Sequence, residues 1–187
     1  MPMIRETIIT TVNGEGRVHI APLGLIAEGD DWILAPFRPS ATLDNLREVP
    51  YAVASHVDDV RIFAGCLTGR RDWPTTPTVG PVPRLKAAIS HWELAVAAVA
   101  EDAQRPRFRM RLVRAVAHGP APGYNRAQAA IIELAILASR LRLLPREKVA
   151  EEAQYLAVAV EKTAGHRERE AWDWLMDKIR AYYDDES

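Results

Sequence analysis

The feature that most limits the fold of this chain is a change of pattern near residue 120. Before it, short apolar runs alternate with turn residues, and Arg107–Leu112 alternates basic with apolar side chains, the period of a half-buried strand. After it, apolar residues recur at helical spacing. A run of strands followed by a run of helices favours an α+β fold. We therefore predict a small β-barrel or sheet over residues 1–120 and a three-helix subdomain over residues 121–187.

Strands are expected where β-branched and aromatic residues concentrate. The predicted strands are Glu6–Val12, Val18–Ala27, Trp32–Phe37, Tyr51–Val57, Trp92–Asp102 and Arg107–His118, with a helix over Leu43–Val49 and a short helical turn after Asp58. Arg70–Pro83 contains four prolines and one glycine and is predicted to be a loop. Because long loops in compact domains are often functional, this loop is interpreted either as a substrate lid or as an exposed connection.

Capping residues and apolar spacing predict the helices. Their expected spans are from Asn125 to about Leu143, Arg146–Ala164 and Glu168–Tyr183. Asn125 can cap the first helix, and Pro145 suits the first turn of the second. Glu133 and Arg140 lie seven residues apart, so we expect them to share a helix face and to form an ion pair.

Composition argues against several classes of function. The chain has 24 basic and 25 acidic residues, so its charge gives no case for nucleic-acid binding. The single cysteine, Cys66, excludes an intrachain disulfide, and five scattered histidines predict no metal site. The N-terminal segment lacks the apolar core of a secretion signal, and no long apolar run is free of charge. We therefore expect a cytoplasmic protein with no membrane span.

The densest group of hydrogen-bonding side chains follows the Trp32 strand, in PFRPSATLDNL. Arg38, Ser40, Thr42 and Asn45 lie within eight residues. Ser40 or Thr42 can serve as an ordinary helix N-cap, but the helix dipole disfavours a cation such as Arg38 at that end. A phosphate monoester between Arg38 and the first-turn amides would remove the conflict. The residues alone leave both interpretations open.

Three motifs resemble the successive signatures of the FMN-binding split-barrel flavoproteins. They are NGEGRVHIAPLGLI, PFRPSATLDNL and SHVDDVRIF. They are most similar to the archaeal and bacterial branch called DUF447, in which a helical region follows the barrel, and GYNRAQAAIIELAILASRL resembles the start of that region. The resemblance implies an α+β fold, a split β-barrel of the FMN-binding type followed by a C-terminal helical subdomain. It also implies FMN as cofactor and a homodimer with the flavin near the subunit interface.

The resemblance assigns cofactor-binding residues by position. The positions that hold the FMN phosphate are Arg38, Ser40, Thr42 and Asn45. The strand edge beside the isoalloxazine ring is His19, Ile20, Ala21 and Pro22, and the segment that closes over the ring contains Ser55, His56 and Asp59. Family members commonly have asparagine where this chain has Ser55, and a serine offers a hydroxyl without an amide.

The function implied is that of a flavin reductase-like oxidoreductase, which passes hydride from NADH or NADPH through FMN to a small acceptor. The hydride chemistry belongs to the cofactor, so no acid, base or metal from the protein is strictly required. The sequence accordingly names no catalytic residue. Two other interpretations stay open: a flavin-binding module without turnover, acting as a carrier or sensor whose helical part contacts another protein, and a pyridoxal-phosphate binder of the same barrel class.

Overall fold

The chain divides into two compact units. The computed structural model describes residues 1–185, so the last two residues of the predicted helical subdomain lie outside the described part. The barrel unit comprises Met1–Val57 and Trp73–Ala121, and the helical unit comprises Asp58–Asp72 and the chain from Pro122 onward. This partition differs from a single division after residue 120, because Asp58–Asp72 packs with the C-terminal helices.

The barrel unit is a closed antiparallel barrel with an added hairpin. Its strands are Ile4–Val12 (β1), Val18–Glu28 (β2), Asp31–Leu34 (β3), Tyr51–His56 (β4), Thr75–Thr76 (β5), Arg84–Leu85 (β6), Ser90–Ala100 (β7) and Arg107–Ala117 (β8). The barrel order is β1-β2-β3-β8-β7-β4, and β5 pairs with β6 separately. The predicted α+β class, with the strands first and the helices after them, is confirmed.

A short helix, Ala41–Glu48 (α1), connects β3 to β4 and contributes to the barrel core. Its Leu43 and Leu46 pack with Ile9, Phe108 and Met110, all of them almost fully buried. Phe108 and Met110 occupy alternate positions of β8, and the arginines between them are exposed. The predicted half-buried strand is therefore confirmed as far as Met110, whereas Leu112, the last apolar residue of the alternation, is exposed.

The second half of β8 extends past the end of its pairing with β3. β3 pairs with β8 only over Phe108–Met110. From Arg111 to Ala117 both faces of the strand are exposed, apart from the half-buried Val116. In the described residues, no strand pairs with the edge of β8 opposite β7 over Arg111–Ala117.

The part of the proline-rich segment that belongs to the barrel unit is fixed to the barrel. Val82 is fully buried, and the Gly80 N–H donates to Glu93 Oε2 at 2.9 Å. A Cβ at Gly80 would lie 2.7 Å from the Tyr51 ring, so only glycine fits there without rearrangement. The pairing of β5 with β6 also holds the two ends of this segment together. The segment is therefore an anchored connection.

The helical unit is built on an apolar core. Its described helices are Arg61–Leu67 (α2), Arg126–Ala138 (α3), Arg146–Thr163 (α4) and His166–Asp185 (α5), with a 3₁₀ turn over Leu141–Leu143. The core includes Ile131 and Leu134 of α3 and Leu175 of α5, all fully buried. Cys66 is buried in α2, and burial raises the pKa of its thiol to about 11. No helix in the described part of the chain is long and apolar enough to cross a membrane.

The first long helix begins where the sequence predicts and ends earlier. The Asn125 side chain accepts the N–H groups of Ala127 and Gln128, so the predicted cap is confirmed. α3 ends at Ala138 because the chain then tightens into i→i+3 bonds and Ser139 Oγ binds the Ile136 carbonyl. The expectation of an ion pair between Glu133 and Arg140 was wrong: Arg140 lies outside the helix, and the described residues show no such pair.

Candidate functional site

Two of the predicted site segments flank the same strand. β1 pairs with β2 on one side and with β4 on the other, so Ile8 lies opposite both Pro22 and Ser55. Neighbouring strands lie about 4.8 Å apart, which puts the His19–Pro22 segment and Ser55 roughly 10 Å apart across the sheet. β3 pairs with β2 only from Leu25 onward, so this strand pairing leaves out the predicted segment. The barrel thus brings the two segments onto one three-stranded surface.

Ser55 and His56 have different environments at the end of β4. Ser55 is fully buried, and its Oγ accepts the Leu85 N–H at 3.1 Å. His56 Nδ1 lies 3.1 Å from Ser90 Oγ, and the ring meets Trp92 edge-on at 4.7 Å. Burial, and then the charge of Arg5, lower the pKa of His56 below its ordinary value.

Two buried polar atoms of this surface have no hydrogen-bond partner in the described structure. They are His56 Nε2 and the Oγ1 of Thr10, which lies on β1. Buried polar atoms are usually bonded, so each of these atoms calls for an explanation. The β1–β4 register places the two side chains on opposite faces of the sheet, so a single ligand edge could supply a partner to only one of them.

Three of the side chains around α1 are held within the fold. Ser40 is the N-cap of α1, and its Oγ accepts the Leu43 N–H at 3.3 Å. Asn45 is buried and donates through Nδ2 to Thr11 Oγ1 at 3.0 Å. Thr42 is 2% exposed. The predicted N-cap bond of Ser40 is therefore confirmed.

Arg38 shares a carboxylate with a second arginine. Its Nη2 lies 2.6 Å from Glu101 Oε2, and its Nε donates to the Asp102 carbonyl at 3.2 Å. Arg47 Nη2 lies 2.9 Å from Glu101 Oε1. The Glu101 side chain is 61% exposed, so two guanidinium groups converge on an anion that is free to move away. No local sequence pattern indicates this contact, because Glu101 lies in the β7–β8 turn, 54 residues from Arg47.

Asp59 belongs to the helical unit. Its carboxylate binds Arg61 Nη2 at 2.7 Å and accepts the Arg61 N–H, and Arg61 Nη1 also meets Glu170 at 2.9 Å. Burial pushes the pKa of Asp59 upward, but the bonds and charge of Arg61 outweigh it and lower the pKa. Asp59 therefore supports the start of α2.

Sequence reasoning missed a second polar group in the barrel. Glu93 and His91 lie two residues apart on β7, both almost fully buried, and His91 contacts His118. A spacing of two places both side chains on one face of a strand, which is a signal that the sequence does contain. The described residues contain no group of three or more histidines, cysteines or carboxylates that could hold a metal ion.

Comparison with known families settles the relationship of the chain. A family model described as the N-terminal domain of a protein of unknown function (DUF447) matches residues 5–119. A second model, described as a protein of unknown function (DUF447), matches residues 125–177. The chain belongs to the DUF447 family. The resemblance in the three sequence motifs is therefore confirmed, and no curated protein matches the chain significantly.

Solved structures establish the fold of this DUF447 chain. An FMN-bound DUF447 protein from Methanosarcina mazei is 20% identical, with a TM-score of 0.81 over 95% of this chain and 96% of that one. The Pseudomonas fluorescens 2-nitrobenzoate 2-nitroreductase is 23% identical, with a TM-score of 0.52 over 63% and 66%. The flavin reductase component of a bacterial two-component tryptophan halogenase is 16% identical, with a TM-score of 0.52 over 64% and 83%. The predicted split barrel followed by helices is confirmed.

Proposed function

We propose that this DUF447 chain is an FMN-binding flavoprotein. The observation that carries the proposal is the convergence of Arg38 and Arg47 on the Glu101 carboxylate beside α1. A phosphate dianion carries more charge and more acceptor oxygens than a carboxylate, so it would compete well for both guanidinium groups. The FMN-bound protein from Methanosarcina mazei, of the same family and fold, supports the choice of ligand.

The start of α1 offers further bonds to a phosphate. The Ser40 oxygen accepts the Leu43 N–H, but its own hydrogen remains available for donation, so capping and phosphate binding are compatible. The first amides of any helix, here those of Ala41 and Thr42, lack intrahelical partners, and the dipole favours an anion there. Asn45 would act from behind, by fixing α1 to β1 through Thr11.

The flavin ring would lie on the surface formed by β2, β1 and β4. Thr10 Oγ1, on the same face of the sheet as Ile20, Pro22 and Ser55, is the buried atom for which a ligand edge would provide a partner. The ring-contacting residues we propose are His19, Ile20, Ala21, Pro22, Ser55 and His56. Because the Ser55 hydroxyl already accepts the Leu85 N–H, we expect Ser55 to contact the ring through its backbone. Asp59 stays in the proposed set on the family resemblance alone.

The reaction we propose is a flavin reductase-like oxidoreduction. Bound FMN would take hydride from a reduced nicotinamide and pass it to a small acceptor, and flavin reductases among the solved structures of the same fold support this. The residues of the chain would bind and orient the reactants. If FMN-loaded protein is mixed with NADH or NADPH without oxygen, rapid loss of the flavin absorbance is expected. No loss with either nucleotide would favour the non-catalytic carrier or sensor.

Titration with FMN tests the phosphate site. Arg38→Ala should weaken FMN binding by about 1.5–3 kcal/mol, because it removes charge-assisted bonds. Glu101→Gln should strengthen binding, because it removes the competing anion. The matched control is Arg107→Ala, an exposed arginine of the same unit that pairs with Glu28. Unchanged FMN affinity in Arg38→Ala would show that Arg38 is not part of the site. A pyridoxal-type absorbance in the purified protein would show that the ligand is pyridoxal phosphate and not FMN.

We also propose that the chain forms a homodimer through β8. The uncovered edge from Arg111 to Ala117 carries Leu112 and Val113, which are 39% and 52% exposed. A second copy could pair with this edge and cover both side chains. Light scattering should give twice the chain mass of 20.9 kDa, and Val113→Glu should give the single mass. The control is Val158→Glu on α4, and a wild-type monomer at micromolar concentration would contradict the proposal.

A further inference from the structure

A chain of three titratable side chains runs from the interior of the barrel unit to its surface. Glu93 and His91 on β7 are 2% and 4% exposed, whereas His118, just after β8, is exposed. His91 Nδ1 lies 2.8 Å from His118 Nε2. On its other side, His91 Nε2 faces Glu93 Oε1 at 3.6 Å. A buried histidine often has polar neighbours, but here the contacts on both sides of His91 form a continuous chain.

The two imidazole rings share a plane. Their planes differ by 2° and their centroids lie 5.0 Å apart. That separation is what a 2.8 Å bond between ring edges produces, whereas a stacked pair would have no such nitrogen contact. The contact is therefore an in-plane hydrogen bond, in which one nitrogen donates and the other accepts.

Glu93 accepts two hydrogen bonds through one oxygen, as an ionised carboxylate would. Its Oε2 accepts the Gly80 N–H at 2.9 Å and the Tyr51 hydroxyl at 3.3 Å. An ionised carboxylate only accepts hydrogen bonds, and both of these neighbours donate. Burial, and then the negative charge of Glu93, raise the pKa of Tyr51, which keeps its hydroxyl protonated.

The carboxylate determines which nitrogens carry protons. At 3.6 Å the Glu93–His91 contact is too long for a hydrogen bond, but a buried negative charge still favours a proton on His91 Nε2. His91 Nδ1 is then a lone pair, so His118 Nε2 must carry the proton of the shared bond. The remaining nitrogen of the exposed His118, Nδ1, is left as a basic lone pair.

This group lies at the same end of the barrel as His56. The His118 N–H donates to the Ile89 carbonyl, and the Ile89 N–H donates to the His56 carbonyl, at 2.8 and 2.9 Å. The Ser90 hydroxyl, between His91 and Ile89 in the chain, contacts the His56 ring. Because His91 lies opposite Ser55 in the β4–β7 pairing, the side chains of this group share a face of the sheet with Ser55, whereas His56 points to the other face.

We propose that His118 is the acid–base group for an acceptor that takes up hydride and a proton, and that Glu93 and His91 are positioning residues that fix its tautomer. This inference rests on the proposed flavin function. The acceptor class is an activated double bond, such as an enone. Its β-carbon would gain the hydride that reduced FMN supplies, its α-carbon would gain the proton of protonated His118 Nδ1, and a proton from solvent would then restore His118.

The surrounding charges set the pH range of this step. Burial, and then Arg84, lower the pKa of His118 below 6.5, and burial, and then His118, lower that of His91. The charged and titratable groups around the pair are Glu93, Arg84 and, on the other face of the sheet, His56. A weakly held proton is readily released, so the proton-requiring step should slow as the pH rises through the lowered pKa of His118.

Imidazole ¹⁵N shifts of the protein without FMN test the tautomers directly. At pH 7.5 we expect the Nε2–H form at both His91 and His118. Glu93→Gln should shift His91 and His118 toward a mixture, because it removes the charge, while the exposed His166 of α5 stays unchanged. An Nδ1–H form at His118 in the wild type would overturn the proposal, as would identical spectra in wild type and Glu93→Gln.

Kinetics with the FMN-loaded protein test the role of His118. His118→Ala should slow reoxidation by cyclohex-2-enone about 10²–10⁴-fold, the usual range for general acid catalysis. The decrease in this rate as the pH rises through the pKa of His118 should disappear in the variant. Reoxidation by ferricyanide, which takes electrons and no proton, should be unchanged, and His166→Ala should resemble the wild type. Equal slowing with both acceptors, or wild-type protein that reduces ferricyanide but not the enone, would overturn the proposal. Failure to take up FMN, seen by absorbance before any turnover, would instead defeat the proposed function and the acid–base role with it.

Discussion

The two units of the chain bury different kinds of side chain. The core of the helical unit is apolar, and its buried carboxylates in the described residues serve helix starts: Asp59 binds Arg61, and Glu168 accepts the Gly165 N–H at 3.0 Å. The barrel unit buries many more polar residues, namely Thr7, Thr10, Thr11, Thr42, Asn45, Ser55, His91 and Glu93. Burying polar groups is costly unless they are bonded, so the barrel unit depends on buried hydrogen bonds where the helical unit depends on apolar packing.

The largest effect is expected in the apolar core. Leu134→Ala in α3 should lower the free energy of unfolding by about 2–5 kcal/mol, because it removes a fully buried side chain and leaves a cavity. Urea denaturation measures the change. The control is the neighbouring Glu133→Ala, which alters an exposed position of the same helix. A loss below 1 kcal/mol would mean that α3 is not the centre of this core.

A smaller effect is expected for a buried polar bond of the barrel unit. Asn45→Ala should lower the free energy of unfolding of the FMN-free protein by about 1–3 kcal/mol, because Thr11 Oγ1 loses its buried donor. Asp44→Ala, at an exposed position of the same helix, is the control. If only FMN affinity fell and the stability without FMN held, Asn45 would contact the ligand directly instead of fixing α1.

The two units should also respond differently to acid. Burial, and then His118, hold the pKa of His91 below 6.5, so the unfolded chain takes up a proton first and stability falls as the pH drops below about 6.5. The contribution of Asp59, whose pKa is lowered by Arg61, is present above about 3.9 and disappears only as the pH falls through that lowered pKa.

Unfolding of His91→Gln and wild type at pH 7.5 and 5.5 measures this difference. The wild type should lose up to about 1.4 kcal/mol more per pH unit than the variant. The groups around His91 are Glu93, His118, Arg84 and, on the other face of the sheet, His56, and all of them remain in the variant. His166→Gln serves as the control. Equal losses in the wild type and in His91→Gln would show that His91 accepts a proton without cost in the folded barrel.

Local patterns in the sequence predicted much of the fold. The alternation over Arg107–Leu112 marked β8, and Asn125 marked the start of α3, because strand faces and helix caps are decided by neighbouring residues. The end of α3 was missed because side-chain bonds made by Ser139 compete with the helix. The placement of Asp58–Asp72 in the helical unit depends on packing with distant helices, which no local pattern records.

The candidate site was predictable only where its residues are close in sequence. Arg38 and Ser40 could be singled out because both lie in one short motif beside a helix start. Glu101 and Arg47 could not, since their contact depends on the closure of the barrel. The sequence alone left a helix cap and a phosphate site as alternatives for Ser40. Its hydroxyl accepts the Leu43 N–H and can still donate to a phosphate, so one residue can serve both roles.

The most direct test of the central claim compares FMN with riboflavin in a fluorescence titration of the FMN-free protein. The two ligands share the ring and the ribityl chain and differ only in the phosphate. FMN should bind with one ligand per chain, and riboflavin should bind at least about tenfold more weakly, since the loss of charge-assisted bonds costs about 1.5–3 kcal/mol. Equal affinities, or no binding of FMN, would contradict an anchoring role for Arg38, Arg47 and the start of α1.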